Sequence, residues 1–123
     1  MELSLNEYQR RAMTTCMESC GNFSYMFLNL VGEVGEFASK VAKAIRKDKA
    51  MIVNNHLQRW NVPESMTDQE IHDLRAEAGD ILWQIAGLCH VMGWDLQSIG
   101  DENLAKLASR KERGVIASDG DNR

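Results

Sequence analysis

Two long segments of the chain carry apolar residues at helical spacing, and this feature constrains the fold more than any other. In residues 24–47 and again in residues 67–92, apolar side chains recur every three or four positions. Such spacing places them along one face of an α-helix. No segment alternates polar and apolar residues for long, as a half-buried strand would. We therefore predict an all-α fold, a helical bundle built on two long antiparallel helices with flanking helices.

Capping signals mark where the helices begin and end. Thr67 and Glu70 have the spacing of a capping box at the start of the third helix. Asp101 is a candidate N-cap for a fourth helix, while Gly21 and Gly114 are expected to end the first and the fourth. The predicted order is a helix over 5–20, a helix over 24–47, an irregular stretch over 48–66, a helix over 67–92 and a helix over 102–113.

The segments outside these helices contain turn-forming residues. Asn54, Asn55 and Pro63 interrupt the stretch between the two long helices, where a short helical turn over 51–60 is an alternative. Asp95 can cap another short turn ahead of the fourth helix. We assign residues 1–114 to one domain and residues 115–123 to a C-terminal tail.

Length and charge limit the class of protein and its partners. The chain has 123 residues, of which 44% are hydrophobic, and this is enough for one domain with a modest core. Its formal charge of −4 argues against a dedicated nucleic-acid-binding protein, which would be basic. The apolar faces of the two long helices exceed what one small bundle covers, so we expect oligomerisation to complete it, as a homodimer or a homotetramer.

The cysteines and the hydropathy pattern bear on the cellular compartment. Cys16, Cys20 and Cys89 form neither a CxxC motif nor a complete set of pairs, so we expect reduced thiols. No secretory signal is recognisable, and no apolar run approaches the roughly 18 residues of a membrane span. We therefore predict a cytoplasmic protein with no membrane partner.

The two long helices also share a pattern of acidic residues. With an offset of 44 residues, Glu33 aligns with Glu77 and Glu36 with Asp80. Residues three apart on a helix reach the same side, and antiparallel packing would bring the two acid pairs together. Four clustered carboxylates repel one another unless a cation shares the site, and Mg²⁺ prefers such oxygen ligands. We therefore predict a Mg²⁺ site at these four acids, with Mn²⁺ as a substitute.

Iron coordination and simple solvation are the two alternatives to magnesium at these acids. A di-iron centre in a helical bundle requires Glu-x-x-His motifs, and none of His56, His72 and His90 follows a glutamate by three positions. Iron is therefore disfavoured. Solvated acids on helix surfaces are the second alternative, and it becomes weaker because two acid pairs occur in register within mostly apolar sequence.

The same residues resemble a known family. "EVGE" at 33–36, "EAGD" at 77–80 and the later "NLAKLASRKERG" are similar to motifs of the all-α nucleoside triphosphate pyrophosphohydrolases, in particular their MazG-like branch. The resemblance implies hydrolysis of a nucleoside triphosphate to the monophosphate and pyrophosphate, with Mg²⁺ bound by the four acids. It also implies helical bundles completed by dimerisation, and contacts from Asn103 and Lys106 to the nucleotide or its phosphates.

A triphosphate substrate requires positive charge beside the acids. Its several negative charges can approach four carboxylates only through a metal ion and added bases. One acid, with Glu36 as the candidate, would orient or deprotonate a water for attack on the α-phosphorus. The bases that could contact substrate are Lys40, Lys43, Lys106, Arg110 and Arg113.

Two classes of function follow from these observations. The first is a Mg²⁺-dependent pyrophosphohydrolase, with a deoxynucleoside triphosphate as the favoured substrate and the preferred base left open. The second is a non-catalytic helical module that binds nucleotide or only dimerises. All four acids are present, and this favours the enzyme because a decayed site usually loses ligands.

Overall fold

The computed structural model describes residues 2–60 and 64–117 and confirms the all-α architecture, with a small hairpin added. The predicted interruption at Pro63 and the end of the tail, from residue 118 onward, lie outside the described residues. The elements are α1 (Leu5–Met13), a 3₁₀ turn (Glu18–Cys20), α2 (Phe23–Arg46), β1 (Ala50–Val53), β2 (His56–Arg59), α3 (Asp68–Val91) and α4 (Leu96–Glu112). None of the helices in this part of the chain combines the length and the apolar character that a bilayer span requires.

Helices α2 and α3 form the predicted antiparallel pair. Near the start of α2, the fully buried Met26 lies against Gly87, which belongs to the second half of α3. Near the end of α2, Ala44 packs in one apolar cluster with Ile71, from the first turn of α3. A Cβ atom at Gly87 would overlap the Met26 side chain, so glycine permits the close approach of the two helices.

Helix α1 is fastened to the junction of α3 and α4 by a buried glutamine. The Gln9 Nε2 atom donates to the carbonyls of Ala86, at 3.2 Å, and Trp94, at 3.1 Å. Its Oε1 atom accepts from the amide of Leu96 at 2.9 Å. Burying this polar side chain is tolerated because both ends of the amide are hydrogen-bonded.

The first helix is shorter than the predicted 5–20. Helix α1 ends at Met13, since the hydroxyls of Thr14 and Thr15 donate to the carbonyls of Arg11 and Ala12 at 2.6 and 2.7 Å. These threonine bonds satisfy carbonyls that the next helical turn would otherwise use. The prediction was therefore wrong beyond residue 13, where the chain turns and forms only the short 3₁₀ segment.

The stretch between the long helices contains a β-hairpin, so the irregular assignment and the helical alternative over 51–60 were both wrong. Strands β1 and β2 pair antiparallel, from Ala50 opposite Arg59 to Val53 opposite His56. Asn54 and Asn55 both have positive φ, 51° and 66°, as a two-residue type I′ turn requires. Asparagine tolerates this left-handed conformation better than other non-glycine residues.

The fourth helix begins earlier than predicted. Asp95 caps α4 by accepting from the Ser98 amide at 2.9 Å, so Asp101 lies inside the helix and does not start it. The expected short turn at Asp95 is therefore the beginning of α4 itself. Gly114, with φ of 71°, follows the helix end as predicted.

Much of the apolar face of α2 is not covered within one chain. Phe27 is 47% exposed, Val31 61% and Val34 50%, and Leu104 on α4 is 67% exposed. The three α2 residues lie on the predicted apolar stripe of that helix. The single chain therefore leaves a large apolar surface in contact with water.

Candidate active site

The packing of α2 against α3 brings three of the four predicted acids together. One carboxylate oxygen from each of Glu33, Glu77 and Asp80 lies within 4.8 Å of the other two. Glu33 comes from the middle of α2, and the other two come from adjacent turns of α3. We call these three residues the acid cluster. Its position follows from the antiparallel register, which places the centres of the two helices side by side.

The acid cluster contains buried oxygens that lack a hydrogen bond. Glu77 is only 8% exposed. Among the described residues, no donor reaches the Oε2 atom of Glu33 or that of Glu77. A buried acceptor without a partner costs free energy, and a charged one costs more. A hard cation fits this arrangement because it would be coordinated by oxygens that the protein leaves unsatisfied.

The other oxygens of the two glutamates have protein partners. Asn29 Nδ2 donates to Glu33 Oε1 at 3.4 Å, across one turn of α2. Lys40 Nζ lies 3.3 Å from Glu77 Oε1 and forms an ion pair between the helices. One lysine therefore offsets part of the negative charge, and it also places a positive group at the edge of the acids.

The electrostatics of Glu33 reflect this crowding. Burial raises the pKa of the Glu33 carboxyl above its ordinary value, and the negative charges of Glu36, Asp80 and Glu77 raise it further. The hydrogen bond from Asn29 acts in the opposite direction. A bound cation would favour the ionised form of the same carboxyl. The site is therefore strained electrostatically in the absence of a cation.

Glu36, the fourth predicted acid, lies at the rim. It is exposed, and it is not part of the group whose oxygens meet within 4.8 Å. Its charge nevertheless contributes to the raised pKa of Glu33, so the two carboxylates interact. The structure thus brings one oxygen from each of three acids within 4.8 Å and leaves the fourth acid beside them.

The glycines within the two acidic turns face open space. A Cβ atom built on Gly35 or Gly79 would meet no atom within 4 Å. Close helix approach is therefore not the reason for glycine at these two positions. Within one chain, these glycines instead leave open space next to the acids.

Comparison with known proteins identifies the family. A family model for the MazG nucleotide pyrophosphohydrolase domain matches residues 22–115. The chain belongs to the MazG family. The matched segment begins at the N-cap of α2 and extends just beyond α4, so it includes both acidic turns.

A relative supports the extent of this MazG domain. The chain is 39% identical over 106 residues to the Gene 37 protein of Mycobacterium phage L5. The alignment covers 86% of this chain and 81% of the relative. No solved structure matches the chain significantly.

The predicted substrate-binding residues of the MazG domain divide between two places. Lys40 lies at the acid cluster through its ion pair with Glu77. Asn103 and Lys106 are exposed on α4, where they line a cavity together with Ile99. Arg110 belongs to the same helix but is only 5% exposed. The assignment of the α4 residues to substrate binding stays a prediction.

Two tyrosines of this MazG domain lie close enough to the acids to respond to their charge. Burial raises the pKa of the Tyr8 hydroxyl, and the charge of Asp80 adds to the effect. The pKa of Tyr25 is raised by burial, then by Cys20, with a smaller contribution from Glu33. From the sequence alone, both tyrosines are interpreted first as aromatic residues of the core, with stacking on a base as the alternative.

The structure also adds basic residues that the sequence did not assign to the site. Lys47 and Lys49 line a pocket with Lys40 and Lys43, beyond the acid cluster. The spacing of Lys40, Lys43 and Lys47 is visible in the sequence as one helical face. Lys49 could not be placed, since it lies beyond the end of α2 in the stretch for which the sequence predicted only irregular structure.

Proposed function

We propose that this protein is a Mg²⁺-dependent pyrophosphohydrolase that converts a nucleoside triphosphate, preferably a deoxynucleoside triphosphate, to the monophosphate and pyrophosphate. The family membership supports the general activity. The observation that carries the rest is the acid cluster with two buried carboxylate oxygens that lack hydrogen bonds within the described residues. A nucleotide substrate brings phosphate oxygens that a cation at this point would share.

In this proposal, Glu33, Glu77 and Asp80 hold Mg²⁺, for which Mn²⁺ can substitute, and Glu36 completes the site from its rim. When bound, the ion would neutralise phosphate oxygens and lower the pKa of a coordinated water. The donor set consists only of carboxylates, which suits a hard cation and not a thiolate-binding metal.

The remaining steps are assigned to the chain's own side chains. Glu36 is exposed beside the cluster, so it can orient the attacking water and accept its proton. The water oxygen bonds to the α-phosphorus, the bond from that phosphorus to the bridging oxygen breaks, and pyrophosphate leaves with the electron pair. Lys40, next to Glu77, supplies positive charge to the phosphates.

We assign recognition of the nucleotide to α4. Asn103 and Lys106 are exposed along a cavity of about 290 Å³, and amide and ammonium groups suit the polar parts of a nucleotide. We include Arg110 in this assignment because it lies on the same helix, one turn beyond Lys106. Only 5% of Arg110 is exposed.

The exposed apolar faces support an oligomer as part of the proposal. Phe27, Val31 and Val34 on α2 are each about half exposed or more, and another copy of the chain would cover them. Light scattering at micromolar concentration is expected to give the mass of a homodimer or of a dimer of dimers. A clean monomer would contradict this part of the proposal.

A panel of substrates tests the activity. The purified protein is incubated with each common ribonucleoside and deoxyribonucleoside triphosphate plus Mg²⁺, and pyrophosphate release is measured. Turnover that stops on chelation and returns with Mg²⁺ or Mn²⁺ is the expected result. Tight nucleotide binding with no turnover on any substrate would indicate the non-catalytic module instead.

A further inference from the structure

A pocket lined by lysines lies between the end of α2, the start of α3 and two residues just outside the secondary-structure elements, Lys49 ahead of β1 and Met66 ahead of α3. Its volume is about 250 Å³, and its charged lining consists of Lys40, Lys43, Lys47, Lys49, Glu70 and Asp73. We call it the lysine pocket. Each water in bulk liquid takes up about 30 Å³, so the pocket has room for roughly eight waters. This is enough room for a small anion such as a pyrophosphoryl group.

The charges of the lysine pocket are only partly neutralised. Lys49 Nζ is held by both carboxylate oxygens of Glu70, at 2.8 and 3.0 Å. In the described part of the chain, no carboxylate lies within ion-pair distance of Lys43 or Lys47. Asp73 is the other lining carboxylate, and it accepts a hydrogen bond from Gln69 at 2.8 Å. Positive charge is therefore in excess.

One wall of the lysine pocket is anchored by the backbone just ahead of β1. The amide of Lys49 donates to the carbonyl of Ala44, at the end of α2, at 2.8 Å. Its carbonyl accepts from the amide of Met66 at 3.2 Å and from the Ser65 hydroxyl at 3.2 Å. The position of this wall is thus set by hydrogen bonds to the end of α2 and to the segment that leads into α3, and it does not depend on surface lysines alone.

The lysine pocket continues the line of the acid cluster along α2. At 100° per residue, Glu33, Lys40 and Lys47 fall within about 40° of one another on the helix, and Glu36 and Lys43 lie on the same side. Lys40 joins the two regions, because it lines the pocket and also pairs with Glu77 of the cluster. One face of α2 therefore changes from acidic to basic over two turns.

We infer that the lysine pocket binds a pyrophosphoryl group: the β- and γ-phosphates of the substrate before cleavage, and pyrophosphate after it. The inference rests on the proposed function, since it supplies the place where the leaving group of that reaction is held. When the bond to the α-phosphorus breaks, pyrophosphate takes the electron pair, and Lys43 and Lys47 stabilise its negative charge. The pocket accordingly favours triphosphates over shorter phosphate chains.

A direct binding experiment tests the inference without turnover. Inorganic pyrophosphate is titrated into metal-free protein by calorimetry, with wild type, the double variant Lys43→Ala/Lys47→Ala, and Arg46→Ala. Arg46 is the matched control, since it is exposed on the same turns of α2 and does not line the pocket. The double variant is expected to bind pyrophosphate at least about tenfold more weakly, as loss of one charge-assisted hydrogen bond would produce, and Arg46→Ala less than about twofold more weakly.

Two results would overturn the inference: wild-type protein that does not bind pyrophosphate, or equal affinities for the double variant and Arg46→Ala. Thermal unfolding of each variant establishes that it is folded. If the protein hydrolyses triphosphates, the double variant should lower kcat/KM by about tenfold or more, with a fall in kcat as well as a rise in KM, because the lysines bind the phosphates and also stabilise the charge of the leaving group. If no substrate is turned over, the proposed function fails, and the calorimetric comparison still decides whether the pocket binds pyrophosphate.

Discussion

The two acidic turns of this protein have nearly the same sequence and different structural surroundings. In α3, both acids of "EAGD" join the acid cluster, and Glu77 is buried. In α2, only Glu33 of "EVGE" joins, while Glu36 is exposed at the rim. Equivalent spacing therefore places each acid pair on one side of its helix, yet it does not give equivalent positions in the site.

The difference comes from what covers each helix. Helix α3 packs against α2 and also against α1, where Trp83 Nε1 donates to the Ala12 carbonyl at 3.1 Å. Burial raises the pKa of the Tyr8 hydroxyl on α1, and the nearby charge of Asp80 raises it further. Helix α2 has no such second cover on its outer face within the described residues, and Val31 there is 61% exposed. Burial thus distinguishes Glu77 from the half-buried Glu33, whereas Asp80 and Glu36 are both exposed and differ in whether their carboxylates reach the acid cluster.

The largest effect is expected at the buried acid. Glu77→Gln should lower kcat/KM by more than about 100-fold, since loss of even an outer partner of a metal ligand typically costs 10–100-fold. Pyrophosphate release with saturating Mg²⁺ measures this. Circular dichroism and thermal unfolding serve as the check that the variant is folded. Activity within a factor of about five of wild type would show that Glu77 is not part of the site.

Asp80 and Glu36, the second acids of the two turns, are expected to differ clearly in their effect on Mg²⁺ binding. Asp80→Asn is expected to weaken Mg²⁺ binding about tenfold or more, whereas Glu36→Gln should weaken it less than about threefold. Calorimetric titration of Mg²⁺ gives both constants. Since Glu36 is assigned to the attacking water, its variant should lower kcat more than it lowers metal affinity. Equal losses of Mg²⁺ affinity would mean that the two turns bind the ion equivalently.

A stability measurement tests the strain at Glu33. Its pKa is raised above 4.5 in the folded protein, so the folded state binds this proton more tightly than the unfolded state does. The stabilising contribution is complete below about pH 4.5 and is lost as pH rises through the raised pKa. In metal-free protein at about pH 8, Glu33→Gln should therefore raise Tm, and the difference from wild type should disappear near about pH 4.

Magnesium provides the control for the Glu33 experiment. Adding the ion at about pH 8 should raise the Tm of wild type more than that of Glu33→Gln, because only the ionised carboxylate gains from the cation. A variant that is less stable than wild type in the same metal-free buffer would contradict the electrostatic account.

The smallest effect is expected at the glycines of the two turns. Gly35→Ala and Gly79→Ala should each stabilise the protein by up to about 1 kcal/mol, since alanine is the better helix former and the added Cβ meets open space. Chemical denaturation measures the change. Gly87→Ala is the matched opposite case, expected to destabilise by about 1–3 kcal/mol because Met26 lies in the way. Destabilisation at Gly35 or Gly79 would reveal packing that only an oligomer provides.

Local sequence signals predicted much of the architecture. The bounds of α2 and α3 came within a residue or two of those predicted, and the capping box at Thr67 and Glu70 is confirmed by reciprocal bonds of 3.0 and 3.2 Å. Helical periodicity and caps involve residues within one or two turns of each other, so they can be recognised without knowledge of the fold.

The errors arose where the local signal was short or ambiguous. The hairpin strands have four residues each, too few for a period of two to stand out, and its turn relies on two asparagines in the left-handed region. Asp95 and Asp101 are both acceptable N-caps. Asp95 is the N-cap of α4 because α1 fixes the chain at this point, where Gln9 accepts a hydrogen bond from the Leu96 amide.

The sequence by itself determined the all-α class, the two long helices and the side of each helix on which its acids lie, because these depend on spacing along a regular helix. Only the tertiary structure decided that Glu33 meets Glu77 and Asp80, that Glu36 stays at the rim, and that Lys49 closes a pocket with the lysines of α2. Those outcomes depend on which faces neighbouring helices cover and on how far each side chain is withdrawn from water, and both are properties of packing between distant segments.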